Sequence, residues 1–202
     1  HNEQTTSIFR PRHPIVCYID IVGVAIVLFF LSWNKSVAVN LYLLSVLVMY
    51  FFSILHHWLP HAEWRQKIDH MMIFIVITMT MMPYWTGPLV FEWAPLGPII
   101  ILGVMIIGVT IKWFSIMPAR LSALMYVAAA LPGIVDFLWS WYLLPTPWNV
   151  LWVIGLFLYA AQLLIYTFRW VDLKPSLFGF RETQHCLLLL AITSHVAVAI
   201  NI

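Results

Sequence analysis

Long apolar segments separated by short polar ones are the dominant pattern along this chain. Each segment is about 20 residues long, the length that a helix needs to cross a hydrocarbon core of about 30 Å. In lipid a segment must satisfy its own backbone hydrogen bonds, and continuous apolar runs favour helices over the alternating strands of a membrane barrel. The pattern predicts seven helices, at about 14–33, 37–59, 69–85, 96–113, 118–144, 148–169 and 181–202.

The composition supports an all-α integral membrane protein. Of the 202 residues, 63% are hydrophobic and only 9% are charged, which excludes an ordinary soluble domain. No linker or repeat divides the chain, so residues 1–202 are predicted to form a single seven-helix transmembrane domain. Cys17 and Cys186 both fall inside predicted helices, which argues against a disulfide framework. The net charge of +2 does not indicate nucleic-acid binding; membrane lipids are the expected partners, and a homo-oligomer is compatible with the sequence.

The basic residues predict the orientation of the bundle. All of the 10 Lys and Arg residues except Lys35 fall on one side when the helix ends are numbered alternately. This set is Arg10, Arg12, Arg65, Lys67, Lys112, Arg120, Arg169, Lys174 and Arg181. Because positive charge is retained in the cytoplasm, we expect the N-terminus inside and the C-terminus outside.

A few polar side chains are predicted to meet at the cytoplasmic face. His57 lies in the last turn of the second helix, and Ser53 is four residues earlier on the same face, about 6 Å along the axis. Asp69 opens the predicted third helix, and His185 lies one turn into the seventh. Imidazole nitrogens bind zinc, while a carboxylate and a hydroxyl can orient a water molecule that zinc activates for attack on an amide or ester.

Three motifs carry a specific resemblance. Ser53-Ile-Leu-His-His57, Asp69-His70-Met-Met-Ile-Phe and Phe178-Gly-Phe-Arg-Glu-Thr-Gln-His185 resemble the progestin and adiponectin receptor superfamily, in particular its bacterial haemolysin III branch. The resemblance covers essentially the whole chain and implies a multi-pass protein of the bacterial inner (plasma) membrane. It implies that His57 and His185 are zinc ligands, that Asp69 is a general base or water holder, and that Ser53 assists it. A wider similarity to alkaline ceramidases implies the hydrolysis of lipid amides or esters.

The chain departs from that pattern at Arg181, where the family carries a histidine. Arginine has no lone pair to offer a metal, and its charge weakens zinc binding nearby. Three outcomes are open. A neighbour supplies the third ligand, the candidates being His56, His61, His70 and Glu182; or metal binds weakly; or Arg181 pairs with Asp69 in a metal-free site. The last outcome predicts a non-enzymatic, receptor-like or membrane-homeostasis protein with a degenerate metal site.

Several single residues have structural as well as functional explanations. Asp69 can be the N-cap of the third helix, and Arg181 and Glu182 can be boundary charges. Asp20 and Asp136 are intramembrane acids and therefore functional candidates. Asp20 is expected within a turn or two of the polar side chains predicted at the cytoplasmic face.

Two further expectations concern the seventh helix. His195 lies ten residues beyond His185, about 15 Å along the helix, and is expected in the outer half of the bundle. No retinal is expected, because the only nearby lysine, Lys174, precedes this helix.

Overall fold

The described chain is a bundle of long helices. The computed structural model describes residues 13–33, 36–86, 96–115, 117–169 and 178–202. Within them lie seven α-helices and no β-strand. The helices are α1 (Pro14–Trp33), α2 (Val37–Trp58), α3 (Glu63–Thr86), α4 (Gly97–Phe114), α5 (Ala119–Trp139), α6 (Thr146–Phe168) and α7 (Phe180–Ala199). The orientation prediction depends partly on Arg10, Arg12, Lys35 and Lys174, which lie outside the described residues.

Six of these seven helices, α1 to α6, are long and apolar enough to cross a membrane. Large apolar side chains point outward along them, for example Phe29, Ile106 and Leu138. Outward-facing apolar surface of this kind suits contact with lipid. Helix α7 differs because its first turns carry the polar run from Arg181 to His185. The architecture is therefore that of an integral membrane helical bundle, and a crossing by α7 stays a prediction.

The helices close into a ring in chain order. Each packs against its neighbour in sequence, and α7 returns to contact α1. Helix α3 also contacts α5 and α7 across the ring, which gives it a central position. The first two helices, α1 and α2, are thereby adjacent in space to α7, at the other end of the chain.

Close packing of α1 on α2 sets the distance between their polar side chains. A Cβ atom added at Gly23 of α1 would lie 2.4 Å from Cζ of Tyr50, so the tyrosine ring rests directly on the glycine backbone. Asp20 lies about one turn before Gly23, and Ser53 lies about one turn after Tyr50. The glycine therefore allows the approach that brings Asp20 to Ser53.

The third helix begins earlier than its apolar pattern predicted. It starts at Glu63 rather than Asp69, which places Asp69 in the second turn and corrects the expectation that Asp69 is the N-cap. Glu63 lies in the first turn, where the helix dipole favours an acid. Its carboxylate forms an ion pair with Lys67 Nζ at 2.8 Å. Polar residues thus continue the helix into a segment that the hydrophobic pattern indicated was a loop.

The fifth helix ends earlier than predicted. Helix α5 stops at Trp139 rather than at 144, and a short 3₁₀ turn at Trp141–Leu143 follows before Pro145. Proline lacks the backbone donor needed to continue a helix and disfavours helical geometry in the preceding residue. The apolar run extends over both elements, so hydrophobicity alone did not reveal the break.

Candidate metal and acid–base site

Asp20 joins the three adjacent helices through its carboxylate. Its Oδ2 atom accepts a hydrogen bond from Ser53 Oγ of α2 at 2.7 Å, and its Oδ1 atom lies 2.8 Å from Nδ1 of His185 of α7. All three residues are buried, and Asp20 is completely so. A buried carboxylate is costly unless its oxygens are hydrogen-bonded, and here both oxygens have a partner.

A group of imidazole rings surrounds the end of α2. The ring centroid of His57 lies 4.8 Å from that of His56, 5.1 Å from that of His185 and 5.4 Å from that of His13, all in edge-on contacts. His57 is buried, and its Nδ1 atom has no hydrogen-bond partner among the described residues. A buried polar atom without a partner is a place where a ligand or an ion is expected.

Three side chains in this region can share a metal ion. One donor atom each from His56, His57 and Asp69 lies within 4.8 Å of the other two. Donor atoms around a tetrahedral zinc ion are about 3.4 Å apart, given bond lengths of about 2.0–2.1 Å. Small side-chain rotations would therefore suffice, and two imidazoles with one carboxylate are a donor set that suits zinc.

The metal group and the Asp20 pair belong to one site. Asp69 interacts electrostatically with both His185 and Asp20. We call this site the inner cluster and define it by six residues: Asp20, Ser53, His56, His57, Asp69 and His185. It brings together the four side chains singled out first from the sequence, namely Ser53, His57, Asp69 and His185. It also includes Asp20, which was expected close by.

The other candidate third ligands take different positions. His61 is exposed, with its ring 6.2 Å from that of His56. His70 points toward α6, 6.2 Å from the ring of Tyr166, and its backbone oxygen accepts a bond from Tyr126. The Glu182 carboxylate caps α7 by accepting a hydrogen bond from the Gly179 backbone N–H at 2.9 Å. Of the four candidates, only His56 joins the metal group.

Arg181 lies at the edge of the cluster. Its side chain is exposed, and its guanidinium carbon lies 5.1 Å from the centroid of the Phe180 ring. It remains close enough to His57 to interact electrostatically with that ring. A cation at this place opposes the binding of a metal ion, as the sequence predicted, but the exposed position allows water to screen it.

Two polar residues predicted at other depths lie apart from the inner cluster. Asp136 is completely buried between α5 and α3, where Trp85 Nε1 donates to its Oδ2 atom and Ser140 Oγ lies 3.4 Å from Oδ1. His195 is buried at the contact of α7 with α6, 5.0 Å from the Trp152 ring and 5.4 Å from the Tyr159 ring. The Trp85 indole and the Ser140 hydroxyl thus supply hydrogen-bond donors to this buried carboxylate.

Two residues escaped the sequence analysis. His13 touches His57 through its ring, and its backbone N–H donates to the His57 carbonyl at 3.1 Å. Its position just before Pro14, at the same membrane face as His57, was the signal that could have found it. Lys112 served only to predict the orientation, but it is buried in the last turn of α4 and its Nζ donates to Ser122 Oγ.

Comparison with known families gives one match that covers nearly the whole chain. The family described as haemolysin-III related matches residues 4–196, a span that includes every residue of the inner cluster. No curated protein matches the sequence.

Proposed function

The chain belongs to the haemolysin-III-related family, a branch of the progestin and adiponectin receptor superfamily, and we propose that it is a metal-dependent hydrolase of lipid amides or esters. The observation that carries the proposal is the convergence of donor atoms from His56, His57 and Asp69 within 4.8 Å. The partnerless Nδ1 atom of His57 supports it, because a bound cation would satisfy that buried atom.

His56, His57 and Asp69 would hold the ion. Three protein ligands leave a coordination position open, which is typical of catalytic rather than structural zinc sites. When bound, zinc supplies Lewis acidity toward a substrate carbonyl and activates water near neutral pH. This assignment uses Asp69 as a ligand, whereas the sequence suggested a base.

His185 would act as the general base and then as the general acid. Its ring lies 5.1 Å from that of His57, and Asp20 holds its Nδ1 side. From this position His185 can accept a proton from the attacking water at Nε2 and return it to the leaving amine or alcohol. General acid–base catalysis of this kind contributes about 10²–10⁴-fold to the rate.

A lipid substrate is supported by apolar surface on two of the helices that carry the cluster. An open apolar groove follows α1 and α7, lined by Val22, Ala25, Ile26, Phe29, Phe30 and Thr193. Asp20 lies on the same helix as most of these residues, immediately before the groove begins, and His185 lies on the helix that supplies Thr193. An acyl chain in the groove would lie along the exposed side of α1, and Asp20 lies on the opposite, buried face of the same helix.

Metal content and hydrolysis measured together test the proposal. The protein is purified in detergent, its metal is quantified by elemental analysis, and hydrolysis of a ceramide-like amide and a matched ester is followed. We expect His57→Ala and Asp69→Ala to lose both metal and hydrolysis. We expect His185→Ala to keep the metal but to lose about 10²-fold or more of the rate.

The control is His195→Gln, which removes a buried histidine outside the cluster and should leave metal content unchanged. Loss of metal in His185→Ala would favour the ligand set suggested by the sequence. Wild-type protein without metal, or without hydrolysis of either substrate when loaded, would contradict the proposed enzyme.

Arg181 favours a second candidate, a receptor-like or membrane-homeostasis protein with a degenerate metal site. Its cation lies near His57, where it opposes metal binding. This candidate predicts that wild-type protein binds no metal and that Arg181→His gains it. Wild-type protein that binds as much metal as Arg181→His, near one ion per chain, would exclude the degenerate site.

A further inference from the structure

We propose that Asp20 is a positioning residue that holds His185 in one tautomer, with the proton on Nδ1 and the lone pair on Nε2. The proposal starts from the geometry at the junction of α1, α2 and α7. Asp20 Oδ1 lies 2.8 Å from His185 Nδ1, and Ser53 Oγ donates to Asp20 Oδ2 at 2.7 Å. No sequence motif pairs these residues, which are 165 and 33 positions apart.

The chemistry of the three groups determines the direction of each bond. An ionised carboxylate only accepts hydrogen bonds, so the nitrogen that faces Asp20 must carry a proton. A neutral imidazole has one protonated nitrogen, and Nε2 of His185 is then left with its lone pair. The Ser53 hydroxyl occupies the second carboxylate oxygen and so prevents the carboxylate from rotating away from the histidine.

The burial of the two side chains also supports a role in which Asp20 positions His185. The side chain of His185 retains 9% exposure, whereas that of Asp20 retains 1%. Asp20 is therefore the more deeply buried of the two, and His185 is the member of the pair that a substrate or water can reach. A carboxylate behind an imidazole in this way orients the ring and strengthens it as a base or ligand.

The catalytic consequence rests on the proposed function, but the tautomer itself does not. Nitrogen-15 NMR of histidine-labelled protein in lipid nanodiscs reads the tautomer directly, because protonated and unprotonated ring nitrogens resonate far apart. The His185 signals are assigned by their absence in His185→Gln. We expect wild-type protein to show Nδ1 protonated and Nε2 unprotonated, and Asp20→Asn to lose this preference.

Asp136→Asn is the matched control, since it neutralises the other completely buried carboxylate and should leave the His185 signals unchanged. Ser53→Ala is the second variant, which keeps the carboxylate and removes only its hydroxyl partner. It should broaden or partly shift the same signals, so the proposal remains testable if Asp20→Asn does not fold. If Asp20→Asn folds and its His185 signals are unchanged, the proposal is overturned. If only Ser53→Ala folds, unchanged His185 signals in that variant overturn it.

Rate measurements separate this proposal from the proposed function. In a protein that binds metal and hydrolyses lipid, Asp20→Asn should lower kcat about 10- to 100-fold while metal content stays close to that of the wild type. Unchanged kcat in Asp20→Asn would overturn the positioning role. Wild-type protein that binds no metal, yet shows the NMR difference on Asp20→Asn, would overturn the hydrolase and support the positioning of His185.

Discussion

Two completely buried acids in this bundle are stabilised by different sets of partners. Two of the partners of Asp136 are the Trp85 indole and the Ser140 hydroxyl, which are neutral groups outside the inner cluster. Asp20 is bonded to an imidazole that itself touches a histidine group. Neutral donors are typical of a structural role, whereas a titratable partner allows proton chemistry. At the scale of single residues, partner type therefore separates the two acids.

Trp85→Phe should destabilise the protein by about 1–3 kcal/mol, because it leaves a buried carboxylate oxygen without its donor. The measurement is the free energy of unfolding in mixed micelles. Trp113→Phe is the control, since that indole lies at an exposed position on α4. Equal effects of the two substitutions would show that the indole bond to Asp136 contributes nothing specific.

The depth of each polar residue could be predicted from the sequence, but its direction around the helix could not. Counting from the helix ends predicted that Ser53, His57 and His185 lie at one membrane face, and the structure brings the three side chains together. Which acid meets His185 depends on helix rotation and packing, and both Asp20 and Asp69 were at suitable depths. In the structure Asp20 is the acid that lies 2.8 Å from His185 Nδ1, on a helix that Gly23 lets approach Tyr50 of α2.

At the scale of helices, the apolar runs of the sequence predicted the helix boundaries well where no polar residues extend the helix beyond the run. Helix α1 and the start of α2 lie where the pattern placed them. The pattern was wrong for the start of α3, because the polar residues Glu63 and Lys67 stabilise a helical turn outside the apolar segment. Hydrophobicity predicts which part of a helix is buried in lipid, and local charge pairs decide how far it extends beyond.

The glycines of α1 and α6 should be intolerant of even one methyl group. A Cβ at Gly23 would lie 2.4 Å from the Tyr50 ring, and one at Gly155 would lie 2.2 Å from the His195 ring. We expect Gly23→Ala and Gly155→Ala each to cost about 1–3 kcal/mol through overpacking. Gly103 has no atom within 4 Å of such a Cβ, so Gly103→Ala should be neutral or stabilise the helix by up to about 1 kcal/mol. Unfolding in mixed micelles compares the three, and equal stabilities would contradict the packing of α1 on α2 and of α6 on α7.

Glu182 belongs to the start of α7 rather than to the metal group. Glu182→Ala should lower the free energy of unfolding by about 0.5–2 kcal/mol, because the Gly179 N–H loses its acceptor. Metal content, measured on the same sample, should stay at the wild-type level. A loss of metal without a loss of stability would identify Glu182 as a ligand instead.

At the scale of the whole molecule, the ring of helices explains how a short polar set becomes a site. Because α7 returns to α1, and α3 crosses the ring, residues from four helices meet in one buried volume. Large apolar side chains face outward on α1 to α6, and the polar groups of the inner cluster are enclosed between helices. The proposed hydrolysis of a lipid would therefore draw on side chains from four helices.

X-ray absorption spectroscopy at the zinc edge tests the central claim most directly, because it identifies both the metal and the atoms that bind it. Our account predicts scattering from two imidazole rings and at least one oxygen ligand in wild-type protein, unchanged in His185→Gln and lost in His57→Ala. Wild-type protein without zinc at this edge, or a spectrum that loses an imidazole in His185→Gln, would contradict the assignment of His56, His57 and Asp69 as the ligands.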